Sequence, residues 1–105
     1  MTSSDVRKRV LGAINDDWSH TNIHGVELRR CLLDIPRRID LTLPPPGEGA
    51  SPFWLVLEEF PGGDSGYLVV YDEASTEFGL AHFASNARPY LIGIYGDFFD
   101  ALEAM

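Results

Sequence analysis

The sequence has a single cysteine, few basic residues and no long apolar run, and each shortage excludes a class of protein. Cys31 alone cannot form an internal disulfide or supply a multi-cysteine zinc site. Eight Lys and Arg stand against sixteen Asp and Glu, for a formal net charge of −8. This balance argues against nucleic acid as a partner, because phosphate contacts need a basic face.

Segments that direct a chain to a membrane are also lacking. The longest apolar runs, residues 53–57 and 67–71, are far shorter than the roughly 18 residues that indicate a membrane span. The N-terminal residues contain no apolar core of the kind found in secretory signals. We therefore expect a cytoplasmic protein with no membrane partner.

Recognisable catalytic and cofactor motifs are missing as well. There is no G-x-S-x-G, H-E-x-x-H or Walker sequence. The glycine-rich stretch at residues 61–66 lacks the lysine and the following helix of a phosphate-binding loop, so it is interpreted as a hairpin loop. The sequence therefore predicts no cofactor and favours a protein that is not an enzyme.

The amino-acid composition is typical of a folded domain. The chain has 105 residues, of which 45% are apolar and 23% charged, which is typical of one globular domain spanning residues 1–105. Apolar residues at helical spacing predict a helix over residues 4–17, with Ser4 as N-cap and Asp16 and Asp17 at its end. The stretch Val26–Leu33 fits neither period cleanly, and we interpret it as a short helix.

The remainder of the chain predicts strands and one last helix. Alternation predicts a strand over residues 37–43, and a proline- and glycine-rich connector follows at residues 44–49. Four further strands are predicted at residues 53–59, 67–72, 77–83 and 89–95, and then a helix that Asp97 can cap and that continues to the chain end. Their short connections favour antiparallel pairing. The predicted fold is α+β: an antiparallel meander of four to five strands with an N-terminal and a C-terminal helix packed on it.

Both faces of the later strands are apolar. Phe53, Leu55 and Leu57 alternate with Trp54 and Val56, so each side of this strand needs a cover. Two modest helices cannot easily cover both sides of the sheet. Either loops and the N-terminal segment fold over the second face, or a second chain covers it, which would make the protein a homodimer or one member of a complex with a partner.

Few residues suggest metal or nucleophilic chemistry. Asp16, Asp17, His20 and His24 would share a helix face and bind a metal if the first helix continued, but turn-forming residues between them favour a loop and no metal site. Cys31 precedes Leu32 and Leu33, as a small buried and unreactive residue would.

The acidic residues of the second half provide no catalytic motif either. Glu58 and Glu59 end one strand and Asp72 and Glu73 end the next, so in a hairpin the two pairs lie at opposite ends. A dyad between one of these glutamates and His82 has no motif to support it.

The charge is unevenly distributed, and this asymmetry suggests a partner. Residues 1–46 carry a net charge of +1, whereas residues 47–105 carry −9 with Arg88 as their only base. In its small size, acidity and lack of catalytic motifs, the chain resembles the bacterial immunity proteins that neutralise toxins, many of which are basic nucleases. The resemblance implies a protein-binding module that acts by surface occupation and attracts a basic protein partner. No family motif matches, so the candidate contact residues come from the charge pattern alone: Glu58, Glu59, Asp64, Asp72, Glu73 and Glu77.

Two other interpretations stay open. One is a small enzyme or ligand-binding domain with a pocket between the sheet and the helices, lined by Tyr67, Tyr71, His82 and Tyr90. A concave pocket with convergent polar groups would favour it, whereas a flat acidic face would favour the binding module. The other is a stand-alone dimeric domain.

Overall fold

Five strands and three helices make up the part of the chain that the structure describes. The computed structural model describes residues 1–44, 49–63, 65–83 and 88–105. The elements, in order, are α1 (Ser3–Ile14), α2 (Leu28–Cys31), β1 (Leu32–Thr42), β2 (Ala50–Glu58), β3 (Tyr67–Asp72), β4 (Glu77–His82), β5 (Tyr90–Gly96) and α3 (Phe98–Glu103). The predicted α+β fold is confirmed, with α1 and α3 packed on a single sheet.

Helix α1 begins and ends earlier than predicted, for reasons visible at its caps. Its N-cap is Thr2 rather than Ser4, because the Thr2 hydroxyl accepts the N–H of Asp5 while the Asp5 carboxylate accepts the N–H of Thr2. At the other end, Asn15 and Asp16 adopt left-handed backbone angles (φ 49° and 66°), which stop the helix at Ile14.

The segment after α1 was only partly predicted. The short helix expected over Val26–Leu33 is reduced to the four residues of α2, since Leu32 and Leu33 already belong to β1. Leu32 pairs with Leu57 of β2, and a register shift separates this pair from the regular ladder that starts at Arg37. The strand predicted from Arg37 therefore begins five residues earlier.

The last helix is shorter than predicted. Helix α3 ends at Glu103 instead of continuing to the chain end. Asp97 occupies its N-cap position but makes no side-chain capping hydrogen bond. Phe98 and Leu102 are fully buried, so the helix is held by packing of its apolar face and not by its cap.

The sheet is an antiparallel meander that closes on itself. Each strand from β1 to β5 pairs antiparallel with the next along the chain. One parallel bridge between Thr42 of β1 and Tyr90 of β5 joins the two outer strands, so the five strands form a closed barrel. In the described residues, the closure adds the hydrogen bond from the Thr42 N–H to the Pro89 carbonyl, at 2.9 Å.

Closure of the barrel covers the second apolar face of the sheet. One buried cluster joins all three helices to the outer face of the sheet, through residues such as Trp54, Tyr71 and Phe78. A second cluster contains only strand residues: Leu41, Phe53, Leu55, Leu68, Val70, Ala81 and Leu91. This cluster fills the barrel interior. The second face is therefore covered by the sheet itself, and neither folded-over loops nor a second chain is needed to cover it.

A bulge in β2 overturns the predicted alternation of this strand. Leu55 pairs with Val70 and Leu57 pairs with Val69, so Val56 is an extra residue in the ladder. Val56 and Leu57 consequently both belong to the helix-facing cluster. The prediction that Leu57 shares a face with Phe53 and Leu55 is wrong, because strict alternation holds only where the ladder is regular.

Some predicted features lie outside the described residues: most of the proline-rich connector (residues 45–48), Asp64, and residues 84–87 between the strands predicted at residues 77–83 and 89–95. Across the ranges that the structure does describe, no helix has both the length and the apolar character that crossing a membrane requires.

Candidate functional site

Three of the four predicted pocket residues form a row across the outer face of the sheet. Tyr67 of β3 is the register partner of His82 of β4, and His82 is the register partner of Tyr90 of β5. The ring centroids are 4.6 Å apart for Tyr67 and His82 and 5.9 Å apart for His82 and Tyr90. Residues paired in this way across a sheet stabilise it through side-chain contact.

Tyr71 does not belong to this row. It lies four residues beyond Tyr67 on the same strand, roughly 13 Å away, and is 1% exposed. Its ring packs against Phe78 at 5.0 Å in the core beneath the helices. Its hydroxyl is buried and has no hydrogen-bond partner among the described residues. Tyr71 is thus a core residue, and the predicted pocket set does not come together.

The row continues at its β3 end into a carboxylate–imidazole pair. Glu59 accepts the N–H of Tyr67 on Oε1 at 3.0 Å, and its Oε2 lies 2.7 Å from Nδ1 of His24. The Glu59 side chain is only 9% exposed. The Glu59 side chain is therefore less exposed than expected, and its role as a contact residue stays a prediction. A hydrogen on Nδ1 of His24 would be donated to Oε2 of Glu59 in this geometry.

Sequence reasoning missed this pair because its members are 35 residues apart. The dyad it considered would have used His82, whose ring instead packs between two tyrosines. The nearest thiol, that of Cys31, is buried as predicted, and its Sγ donates to the Glu59 carbonyl at 3.6 Å. It is therefore poorly placed to act as a nucleophile. Burial raises the pKa of this thiol, which disfavours the reactive thiolate.

The two histidines of the hypothetical metal site lie in different parts of the molecule. His20 lies 2.7 Å from Glu103 and 3.5 Å from Asp17, and its ring stacks on Phe99 at 4.0 Å. His24 is bound to Glu59, on another part of the molecule. Because α1 stops at Ile14, no continuous helix face carries them, and no group of three or more metal-ligating side chains occurs within the described ranges.

The remaining acidic candidates differ in whether their carboxylates make hydrogen bonds or ion pairs. Asp72 accepts the N–H of Ala74 and the hydroxyl of Ser75, which holds the turn before β4. Glu73 accepts the indole N–H of Trp54 at 3.4 Å and lies 3.7 Å from the guanidinium of Arg38. Both carboxylates stabilise local structure.

Glu58 and Glu77 are less constrained. Glu58 is half-buried and pairs in the ladder with Leu68, near the β2–β3 loop. Glu77 is exposed, and among the described residues its carboxylate makes no hydrogen bond or ion pair. Its Oε2 lies 3.7 Å from where a Cβ atom at Gly96 would be, so it stands beside the end of β5.

Three surface depressions formed by described residues lie away from the aromatic row. They are shallow, of about 220, 170 and 150 Å³, and follow the N-terminal half of the chain, where Arg7, Trp18 and Arg29 contribute to their walls. Each is smaller than the 300–1,000 Å³ typical of a small-molecule pocket. Tyr67, His82 and Tyr90 line none of the three.

Apart from Ile35 of β1, which is 73% exposed, the most exposed apolar side chains of the sheet belong to β5. Tyr90, Ile92, Ile94 and Tyr95 are each 38–40% exposed, and we call these four side chains the β5 strip. They do not all share one face of the sheet, because Tyr90 pairs with His82 on the outer face whereas Ile94 pairs with Gly79, the partner of the interior residue Val70. Two register shifts between β4 and β5 leave Ile92 and Tyr95 as extra residues in the ladder. Bulges of this kind turn side chains out of the regular alternation, and they are common next to functional sites.

Acidic side chains border the β5 strip at its C-terminal end. Asp97 follows β5 directly, Asp100 lies in the first turn of α3, and Glu77 stands beside Gly96. All three are exposed. The sequence showed that the segment is apolar, but only the bulges determine which of its side chains reach solvent.

Comparison of the chain with protein-family models, with curated proteins and with solved structures finds no match. The functional interpretation therefore rests on the geometry of the β5 strip, the aromatic row and their charged neighbours.

Proposed function

We propose that this chain is a protein-binding module that acts by occupying a surface of a basic protein partner, with the β5 strip as its contact surface. The observation that carries the proposal is the exposure of four apolar side chains of β5 next to the acidic residues Glu77 and Asp97. Two of the four are tyrosines, which are enriched in the cores of protein interfaces. The proposal places the protein in the bacterial cytoplasm, in keeping with its resemblance to immunity proteins.

The charge distribution favours a basic partner over a second copy of the chain. Asp97 follows the strip directly, Glu77 stands beside Gly96, and residues 47–105 contain no base except Arg88. Two copies meeting through their strips would bring like charges together, which opposes association. A basic surface would gain attraction at the same border and would associate faster at low salt.

The test compares the wild-type chain with two variants. In the strip variant, Ile92→Ser and Tyr95→Ser remove two apolar side chains. In the control, Leu11→Ser removes one of similar exposure (37%) from α1, away from the strip. Each is used to capture proteins from a lysate of the source organism at low and high salt. Light scattering measures the mass of each bait, and thermal melting confirms that each is folded.

We expect a basic protein that wild type and the Leu11→Ser control retain at low salt, that high salt weakens and that the strip variant loses. Retention of the same protein by the strip variant would overturn the proposal. So would a dimer mass for wild type that becomes a monomer mass in the strip variant, because the strip would then serve self-association.

A further inference from the structure

We infer that the partner adds a β-strand to the edge of β5 that faces away from β4, and that this strand is apolar along its length and basic at one end. This inference rests on the proposed function and specifies the chemistry of the partner. It follows from the way the barrel closes, from the exposure of β5 on both of its faces and from the charges at its two ends.

Closure of the barrel uses only one residue at the start of β5. Thr42, the last residue of β1, forms a parallel bridge with Tyr90, the first residue of β5, so the two strands overlap at this point alone. From residue 91 to residue 96, β5 has a strand partner only on its β4 side in the part of the chain that the structure describes. The backbone groups on its other edge are therefore open to pairing with a strand of another chain.

Side chains are exposed on both faces of β5, as expected for a strand that lacks a neighbour on one side. Tyr90 pairs with His82 on the outer face and is 40% exposed. Ile94 is 38% exposed on the opposite face, where its Cδ1 lies 2.9 Å from the Cβ position of Gly79. A partner resting on one face of the sheet would cover only one of these side chains. A strand beside β5 would contact both, because its own side chains alternate between the two faces.

The other free edge of the described sheet, along β1, is protected against pairing in a way that the edge of β5 is not. It carries the charged residues Arg37, Arg38 and Asp40, and Pro36 has no N–H to donate. Charges and proline on an edge discourage pairing with another chain. Residues 90–96 contain neither, and the two register shifts of β5 lie in its ladder with β4, on the opposite edge. The edge of β5 is therefore the one that can accept a strand.

Charges at the two ends of β5 favour a strand with a basic end. Asp97 follows β5 and Glu77 stands beside Gly96, so the C-terminal end is acidic, whereas Arg88 lies just before the N-terminal end. A lysine or arginine beside Asp97 would be attracted there and would be kept away from Arg88. In an antiparallel pair, which is the more stable orientation, this basic residue comes first in the added strand.

Three peptides that differ only in backbone methylation test for strand addition. The parent begins with lysine and continues with alternating valine and threonine over about six residues, the length of the free edge. In the second peptide, every other backbone nitrogen is methylated, which leaves one edge of the strand with all its N–H groups. In the third, every backbone nitrogen is methylated, so neither edge can donate. Side chains and charge are the same in all three.

Fluorescence anisotropy measures the affinity of each peptide for wild type, the strip variant and the Leu11→Ser control. Exchange of amide hydrogens, followed by NMR, measures the protection of β5 with and without the parent peptide. A further variant, Glu77→Gln with Asp97→Asn, keeps the apolar side chains and removes two charges at the C-terminal end of β5.

We expect the parent and the half-methylated peptide to bind wild type and the Leu11→Ser control equally, and the fully methylated peptide to bind about tenfold more weakly. The strip variant should also bind the parent about tenfold more weakly, because its side chains no longer contact those of the added strand. Amides of residues 91–96 that exchange rapidly in the free chain should become protected. The charge variant should show a smaller salt dependence of binding.

Three results would overturn the inference: no binding of the parent peptide, equal binding of the fully methylated peptide, or protection of every amide of residues 91–96 in the free chain, since the edge would then be covered already. Failure here differs from failure of the proposed function. If one of these results is found while the strip variant loses a basic protein in the capture experiment, only the strand inference is wrong. If no basic protein is lost, the proposed function is wrong.

Discussion

Replacing Gly79 by alanine would place a methyl group where β4 and β5 approach most closely. An added Cβ atom would lie 2.7 Å from the carbonyl oxygen of Gly93 and 2.9 Å from Cδ1 of Ile94. The end of the isoleucine side chain can rotate away. The Gly93 oxygen cannot do so easily, because it belongs to the backbone between the two bulges of β5.

Two effects of opposite sign determine the magnitude. Alanine is favoured over glycine inside a regular element by about 0.5–1 kcal/mol, because glycine loses more backbone entropy on folding. Overpacking of a tight site typically costs about 1–3 kcal/mol. The clash with backbone should prevail, and we expect Gly79→Ala to lower the free energy of unfolding by about 0.5–2 kcal/mol.

Gly12→Ala provides the matched control. Gly12 is exposed in the interior of α1, and nothing lies within 4 Å of its Cβ position. The same chemical change should there raise the free energy of unfolding by about 0.5–1 kcal/mol. Urea denaturation, followed by the fluorescence of the two tryptophans, measures both variants.

The two variants should therefore move the urea midpoint in opposite directions with similar m-values. If Gly79→Ala were as stable as wild type while Gly12→Ala gained stability, the backbone of β5 would have room at this point. The close approach of β4 and β5 would then not require glycine, and the reasoning would be refuted.

Four further predictions concern the core, the N-cap and the histidines. Trp54→Ala should lower the free energy of unfolding by about 3–5 kcal/mol, because this 7% exposed side chain packs in the core, and a loss below about 1 kcal/mol in urea denaturation would contradict its burial. Tyr71→Phe should leave stability unchanged or raise it by up to about 1 kcal/mol, since the buried hydroxyl has no partner among the described residues; a clear loss would reveal one. Hydrogen bonds from the backbone and then the side chain of Thr2 lower the pKa of Asp5 below its usual 3.8. The carboxylate therefore stabilises the fold above that pH, and this stabilisation is lost as pH falls through the folded-state pKa. Urea midpoints of Asp5→Asn should consequently decline less steeply in acid than those of wild type. Zinc should leave the melting temperature unchanged, and a rise that His24→Ala abolishes would show a metal site instead.

Prediction from sequence succeeded where neighbouring residues decide the structure. The helical spacing of Val6, Val10 and Ile14 predicted one apolar face, and these three residues form the buried face of α1. The strand Tyr67–Asp72 has its predicted bounds. Prediction failed at Leu57, because one bulge reverses the face of every residue beyond it and leaves no local trace in the sequence.

The candidate site was predictable in its parts and not in its arrangement. The alternating pattern placed Tyr67 and Tyr71 on one face, which is correct, but could not distinguish the partly buried Tyr67 from the core residue Tyr71. The acidic character of residues 47–105 was evident from composition. The pairing of Glu59 with His24 was not, since it requires the loop after α1 to cross to the end of β2.

The sequence by itself determined the number and order of the elements, the antiparallel connections and the net charge, because these depend on composition and on residues a few positions apart. Only the tertiary structure decided that the sheet closes into a barrel, that the Glu59 side chain packs against His24 and that Ile92 and Tyr95 reach solvent. Each of these depends on strand register and on bulges, which are selected by packing between distant segments. The same residues could form a regular open sheet, and the gain from burying both of its apolar faces favours the closed one.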